Sequence, residues 1–489
     1  MTRRRSAPES QQSCQEARSP CQIRKLTRCS SAPGSESPQN EKEEDEREIS
    51  VTESPEGIIS LRPTFPRMIG PSPDTVIDST DLPYLNYFIS KMPKVHPYAV
   101  VFPGFIPDLM QVAASAASLR HSLISLSAVV ADTSLQRPLV RALLHHQVTL
   151  RQVQDLLSLG RGTDEATIYT VMMLAYFNLF SGRFLSARRH VQGVSLLLQQ
   201  YSAAGKLPSP TTMLIWRCAV RLDYFLSSVY PCKPIFPTPP PEQEDLHRTW
   251  IRTAVTSTGE EWALAQFALD NLQSRAAHLS WLAYQSRRIG IPTEDEIQIQ
   301  CTKLLDDFST WRRRKIFLEQ DALDEINEQY CPSTTNSEQF LNYPPMKCPN
   351  SFYANLLNEY RCAVMFVTFI ASPRIGQSYP FDTVRKIHAV DSCRSISATG
   401  VGTFPVSVIR ILQLVGLVFS DPIKFPDECA WIEQQLDRVS NRGVQAATRV
   451  NEMLQIVWGS TYPWTYVETE QVMQNADDLE QLTLEEEFQ

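Results

Sequence analysis

Met173-Leu-Ala-Tyr-Phe-Asn-Leu-Phe-Ser-Gly182 is the stretch on which the fold turns. Residues 168–180 are apolar on nearly every side of a helical projection. A helix with no polar face belongs at the centre of a bundle rather than on its surface. Gly182 suits the left-handed position just past a helix end, where a side chain would be strained. At the other end Thr163 is the expected N-cap, with Asp164 and Glu165 opposing the helix dipole in the first turn.

Working outward, the same three-and-four spacing recurs. Phe184, Ala187, Val191, Val194 and Leu198 form one apolar seam, and Ile215, Cys218, Leu222, Phe225 and Val229 form another, stopped by Pro231. Trp262, Ala265, Leu269, Leu272, Ala276, Leu279 and Ala283 make an unbroken stripe on a long helix, and Ile297, Cys301, Leu304, Phe308 and Trp311 a shorter one. No alternating strand pattern competes, and the helices are too unequal for a tandem repeat. The spacing predicts an all-α, multi-helix bundle over residues 83–458.

Bulk composition bounds the function. A chain of 489 residues with formal net charge −8 is not a nucleic-acid binder over its whole length, although a local basic arm stays open. Hydrophobic content of 43% and a mean hydropathy of −0.23 are ordinary for a globular protein. Apolar runs such as 364–371 and 411–419 fall well short of the roughly 20 residues a membrane helix needs. No apolar segment follows Arg3–Arg5 to make a secretory signal. The 11 cysteines include no C-x-x-C, so reduced thiols in an intracellular protein are expected, Cys218 and Cys362 among them as core packers.

Residues 1–82 are rich in Ser, Pro, Glu and Arg and cannot bury enough surface to offset chain entropy, which predicts a disordered N-terminal arm. That arm runs from basic (Arg24, Lys25, Arg28) to acidic (residues 41–48), with Ser-Pro steps at Ser19, Ser37, Ser54 and Ser72. Residues 231–241 and 331–349 read as irregular connectors within the helical body. Residues 459–489 form an acidic tail punctuated by Leu, Met and Phe and lacking Lys and Arg. It suits either a coactivator-binding segment that folds on contact or a solubilising tail.

Four blocks, in order, resemble a known family. Ala175-Tyr-Phe-Asn-Leu-Phe-Ser-Gly182, Arg188-Arg-His-Val-Gln-Gly193, Arg221-Leu-Asp-Tyr-Phe225 and the segment 443–458 ending Leu454-Gln-Ile-Val-Trp458 are similar to blocks of the fungal zinc-cluster (Zn2Cys6) transcription factors, in their fungal-specific regulatory domain. The resemblance implies an all-α regulatory body, a nuclear location, and an N-terminal cluster in which six cysteines hold two zinc ions and read DNA. This sequence offers Cys14, Cys21 and Cys29, and the next cysteine is Cys218. Three thiolates leave even one tetrahedral zinc a ligand short. Zinc binding of about 10–16 kcal/mol is what folds such modules, so a partial set leaves the arm unfolded. Arg24-Lys25-Leu-Thr-Arg28-Cys29 still resembles the family's basic run, displaced by one residue. Either the cluster is lost, or the gene model is wrong across it; zinc is expected only if further cysteines complete the set.

Other features divide between structural and functional readings. Arg24, Lys25 and Arg28 are the candidate nucleic-acid-binding residues, against a plain cationic arm. Residues 312–315 read as a solvated helix face, and His145, His146 and His190 as packing or surface histidines. Asp223, alone in an apolar helix, calls for a cation from Arg188-Arg189, as an ion pair or in a ligand contact. No phosphate-binding loop, H-E-x-x-H or G-x-S-x-G occurs, and Gly400-Val-Gly402 lacks a third glycine. Asp306-Asp307 is reminiscent of the metal-binding carboxylates of terpene cyclases, but Thr310 stands where a further carboxylate is wanted. The sequence therefore predicts no catalytic residue, no metal site and no membrane contact. The resemblance implies a transcription regulator whose body binds a coregulator, a second copy or a small-molecule effector; DNA contact through the arm stays open, without a complete cluster to support it. The alternatives are a helical interaction scaffold that makes no DNA contact and, as a minor reading, an all-α metal-dependent enzyme.

Overall fold

The computed structural model describes residues 78–95, 99, 102, 104–229, 232–236, 257–314, 317, 346, 348, 351–372, 381–399 and 405–459. The expected arm before Asp78, most of both connectors, Gly400-Val-Gly402 and the acidic tail lie outside them. Within them 83% of the chain is helical, in 14 α-helices with no strand. The fold is all-α.

The first half of the body is built around α5. Helices α1 (Leu82–Val95), α2 (Phe105–Ser115), α3 (Ala117–Ser134) and α4 (Val140–Ser158) precede it, and α5 spans Glu165–Phe180. Every residue of α5 from Thr167 to Phe180 is buried. α3 packs on one side of it and α6 (Phe184–Ala203) on another, with α4 against α3. The apolar circumference is thus matched by apolar neighbours. Gly182 takes φ +77°, and the amides of Gly182 and Arg183 donate to the carbonyls of Leu179 and Asn178, the paired bonds of a left-handed helix stop. The N-terminal expectation fails by one residue. Thr163 lies in a 3-10 turn and Asp164 occupies the cap position, its side chain turned to Arg161 at 2.8 Å instead of to the helix amides.

α7 (Pro210–Val229) leads out of this half and packs on α6 and on α8 (Ser257–Ile289). α9 (Glu294–Arg312) returns along α8, and its buried residues are Ile297, Cys301, Leu304, Phe308 and Trp311, the seam read from spacing. α10 (Ser351–Ala371) crosses both and meets α11 (Phe381–Thr399) and α12 (Pro405–Val418). α13 (Pro426–Ser440) and α14 (Ala446–Trp458) close against α12.

The chain's end returns to its beginning. The Gln445 amide donates to the carbonyl of Phe180, the last residue of α5, at 2.7 Å. Gly443, in the turn before α14, has φ +94°, and a Cβ there would meet the Val130 carbonyl oxygen of α3 at 2.1 Å. Only glycine allows this turn to sit against α3. Among the described residues no helix is long and apolar enough to cross a membrane.

Candidate functional site

The chemistry of this body is concentrated where α7, α8, α10 and α12 meet. Glu359 of α10 is 5% exposed, and its carboxylate collects donors from all four helices. Oε1 accepts from Arg221 of α7, from Ser407 of α12 at 2.7 Å and from Asn355 at 3.0 Å. Oε2 accepts from Gln266 of α8 at 3.2 Å. Gln266 also donates to Asp270 at 3.0 Å, and Asp270 lies 3.9 Å from Arg221. A carboxylate can be buried only if it is paired and hydrogen-bonded, and here four side chains meet that condition together. One apolar face per helix would not have required this arrangement; the polar residues fix which helices meet and in what register.

A second carboxylate organises the exit from α7. Asp223 is 2% exposed, and its Oδ2 accepts from the amides of Ile235 and Phe236 at 2.7 and 2.9 Å. Arg188 reaches its Oδ1 at 3.5 Å and donates to the Lys233 carbonyl at 2.6 Å, whereas Arg189 is exposed. The ion pair read from sequence forms with one of the two arginines, and its work is to pin the connector after Val229. Burial pushes the Asp223 carboxyl above the usual carboxylate range, opposed by those amides and by Arg188.

Histidines form a third group. His145 is buried, with Nε2 3.1 Å from Asp81 Oδ1 and Nδ1 2.8 Å from Nδ1 of His121. One proton is shared across the contact between the two Nδ1 atoms, so one ring donates and the other accepts there. Arg141 also faces Asp81, at 3.5 Å, which ties the entry of the chain to α4. His146 stacks on Phe177 with ring centroids 4.1 Å apart, and His388 lies edge-on to Tyr360.

The remaining sequence candidates separate cleanly. Arg24, Lys25 and Arg28, with Cys14, Cys21 and Cys29, lie outside the described residues. Asp307 pairs with Arg275 at 2.7 Å and Asp306 is exposed on the same helix, so the two do not converge on a common point. Of residues 312–315, Arg313 and Arg314 are exposed, Arg312 is half-buried with its guanidinium 5.1 Å from the centre of the Phe317 ring, and Lys315 lies outside the described residues. Cys218 and Cys362 are buried and burial pushes both thiols up to about 12, which leaves them protonated packing groups. Among the described residues no three His, Cys, Asp or Glu side chains group as metal ligands. Glu359 was missed by sequence reasoning, because it sits among Asn355, Asn358 and Arg361 and no lone charge in an apolar run marks it.

The helical body belongs to a family defined at the sequence level. The family model for the fungal-specific transcription factor domain matches residues 83–461. The chain is a member of that family. No curated protein and no solved structure matches it.

Two outcomes follow from the buried charges. Glu359→Ala takes the carboxylate at hydrogen-bonding distance away from Arg221, and we expect a loss of about 3–5 kcal/mol of unfolding free energy. A double-mutant cycle with Arg221→Met should show a coupling of roughly 1 kcal/mol or more between the two side chains. Urea titration checks this, and single-variant losses that simply add would contradict the pairing. For the histidines, burial lowers His121 and His190 to about 4 and His146 and His388 to about 3. Each folded value lies below the ordinary 6.5, so as pH drops under 6.5 the unfolded chain takes up protons that the folded chain refuses. The stabilisation is complete above pH 6.5 and is lost progressively on the way down to about 3. Urea midpoints at about pH 7, 5.5 and 4.5 should fall in that order; a flat series would show that these rings are not protected.

Proposed function

We propose that this protein is a nuclear regulator of transcription whose helical body is its control module, docking a coregulator, a second copy or a small effector. One observation carries the reading: the fungal-specific transcription factor domain spans residues 83–461, the same stretch in which the helices pack around the Glu359 hub. A multi-helix contact made of ionic and hydrogen-bonded groups is a natural place for regulation. Its energy depends steeply on geometry, so a ligand or partner that shifts one helix changes all of its bonds. The acidic tail is assigned to recruitment of the transcription machinery, and Arg24, Lys25 and Arg28 to contact with DNA phosphates. On this reading the chain performs no catalysis, and zinc enters only through a completed cysteine cluster.

The cysteine count favours one further reading. Three cysteines precede Cys218 where a binuclear cluster needs six, which suits a helical scaffold that acts through partners without touching DNA. Fusing the full chain to a heterologous DNA-binding domain tests the first reading. Reporter output should change at least several-fold, and deletion of residues 468–489 should abolish the change. An unmoved reporter contradicts regulation. Chromatin immunoprecipitation of the unfused chain separates the two readings: occupancy lost in R24A/K25A/R28A supports DNA contact, and no occupancy with reporter output intact supports the scaffold.

A further inference from the structure

Arg410 is the single charged residue of α12, in the run Pro405–Val418, and it is 2% exposed. Its Nη1 donates to Gln413 Oε1 at 2.7 Å, and the guanidinium lies 4.8 Å from the centre of the Phe366 ring. Nε and Nη2 are buried without a hydrogen-bond partner, and among the described residues no carboxylate pairs with the group. Two other buried arginines of this region are treated differently. Arg361 bonds Asn358 and Ser395 and faces Asp391, and Arg385 pairs with Asp382 while bonding the Thr368 and Ser372 carbonyls. An unpaired buried guanidinium is costly unless something completes its bonds.

The two unpartnered nitrogens are the informative part. Nε–H and the adjacent Nη2–H form the side edge of the guanidinium plane, two nearly parallel donors spaced for the two oxygens of a carboxylate. The surroundings are apolar and soft. Phe366 carries the guanidinium, Cys362 lies within electrostatic reach of both Arg410 and Glu359, and Tyr224 meets Phe366 edge to face. Gln413, the acceptor on Arg410, is otherwise held by a 3.6 Å contact to the Met453 sulfur. A second unpartnered group belongs to the same neighbourhood. Gln266 is 1% exposed and donates to Glu359, the carboxylate bonded by Ser407 one turn before Arg410, yet its Oε1 accepts nothing.

We propose that Arg410 is the recognition arm of a buried ligand site between α7, α10 and α12, which takes the carboxylate of a small organic acid with an apolar body. The acid's two oxygens accept from Nε and Nη2, and its hydrocarbon packs against Phe366 and its neighbours. Seated there, the ligand adds a negative charge beside the Glu359 hub and biases the contact among the four helices. This deepens the effector reading above and rests on it for its biological meaning, though not for its test.

The test uses the purified full chain, with hexanoate as probe, hexanamide as its neutral counterpart and inorganic phosphate as an anion without an apolar body. Calorimetry and thermal unfolding should show saturable hexanoate binding and a rising Tm, with hexanamide and phosphate at least roughly tenfold weaker. Arg410→Met should fold with a Tm no lower than wild type, because it removes an unpaired buried charge, and should lose hexanoate binding at least roughly tenfold. Arg410→Lys keeps the charge without the planar fork and should bind at least several-fold more weakly, which covers the case in which the methionine variant misfolds. The proposal is overturned by absent hexanoate binding, by equal binding of hexanamide, by preference for phosphate, or by variants that bind like wild type. Reporter output from the fused chain reads regulation whether or not hexanoate binds, so a failure of the ligand assignment is distinguishable from a failure of the regulatory reading.

Discussion

Arg221 and Glu359 meet inside the protein, and much of the arrangement of this body follows from making that meeting tolerable. A carboxylate at 5% exposure loses its hydration and has to regain equivalent bonds from the chain. The bonds come from Arg221, Ser407, Asn355 and Gln266, on four helices that are far apart in sequence. Apolar faces alone would let those helices slide by a turn or exchange neighbours with little penalty. The hub removes that freedom, since any slip leaves a charge or a donor stranded. It also joins α7, which closes the first half of the chain, to α10 and α12 of the second. The Gln445 amide on Phe180 and the Gly443 turn on α3 complete the closure from the other side.

The parts of this structure that depend on neighbouring residues were legible in the sequence. The five residues spaced along α9 are its buried residues, α5 is buried on every side, and Gly182 stops α5 in a left-handed conformation. These outcomes are governed by helical periodicity and local sterics, which a sequence displays directly. Asp223 was legible as a charge in an apolar run, but its partners were not, because the Ile235 and Phe236 amides come from an irregular segment with no periodicity to place it. Thr163 falls one residue before the cap of α5, in a 3-10 turn where its hydroxyl accepts from Lys206 at 3.1 Å, a partner 43 residues away that composition does not rank. Glu359, Arg410 and the contact among Asp81, His121 and His145 stayed hidden for one shared reason. Their meaning lies in what faces them across the bundle, over separations of 24 to 138 residues.

Membership in the fungal-specific transcription factor family is carried by the body, while the residues proposed to touch DNA lie in the arm before it. On the proposed reading, that division gives control to the body and leaves contact with DNA to the arm. Packed apolar helices are poor switches on their own, because dispersion contacts decay gradually. A buried ionic hub in their midst responds sharply to small displacements. Arg410 places an unsatisfied cation near such a hub, and unsatisfied buried charge is stored free energy that a complementary ligand can release.

Native-state hydrogen exchange on the full chain tests the central claim most directly, by comparing wild type with Glu359→Gln, which keeps shape and removes charge. If the hub couples the halves of the body, amides of α5 and α12 will lose protection together, by a similar factor, although no atom of either helix's backbone bonds to Glu359. Loss of protection confined to α10 and its immediate neighbours, with α5 unchanged, would contradict the account.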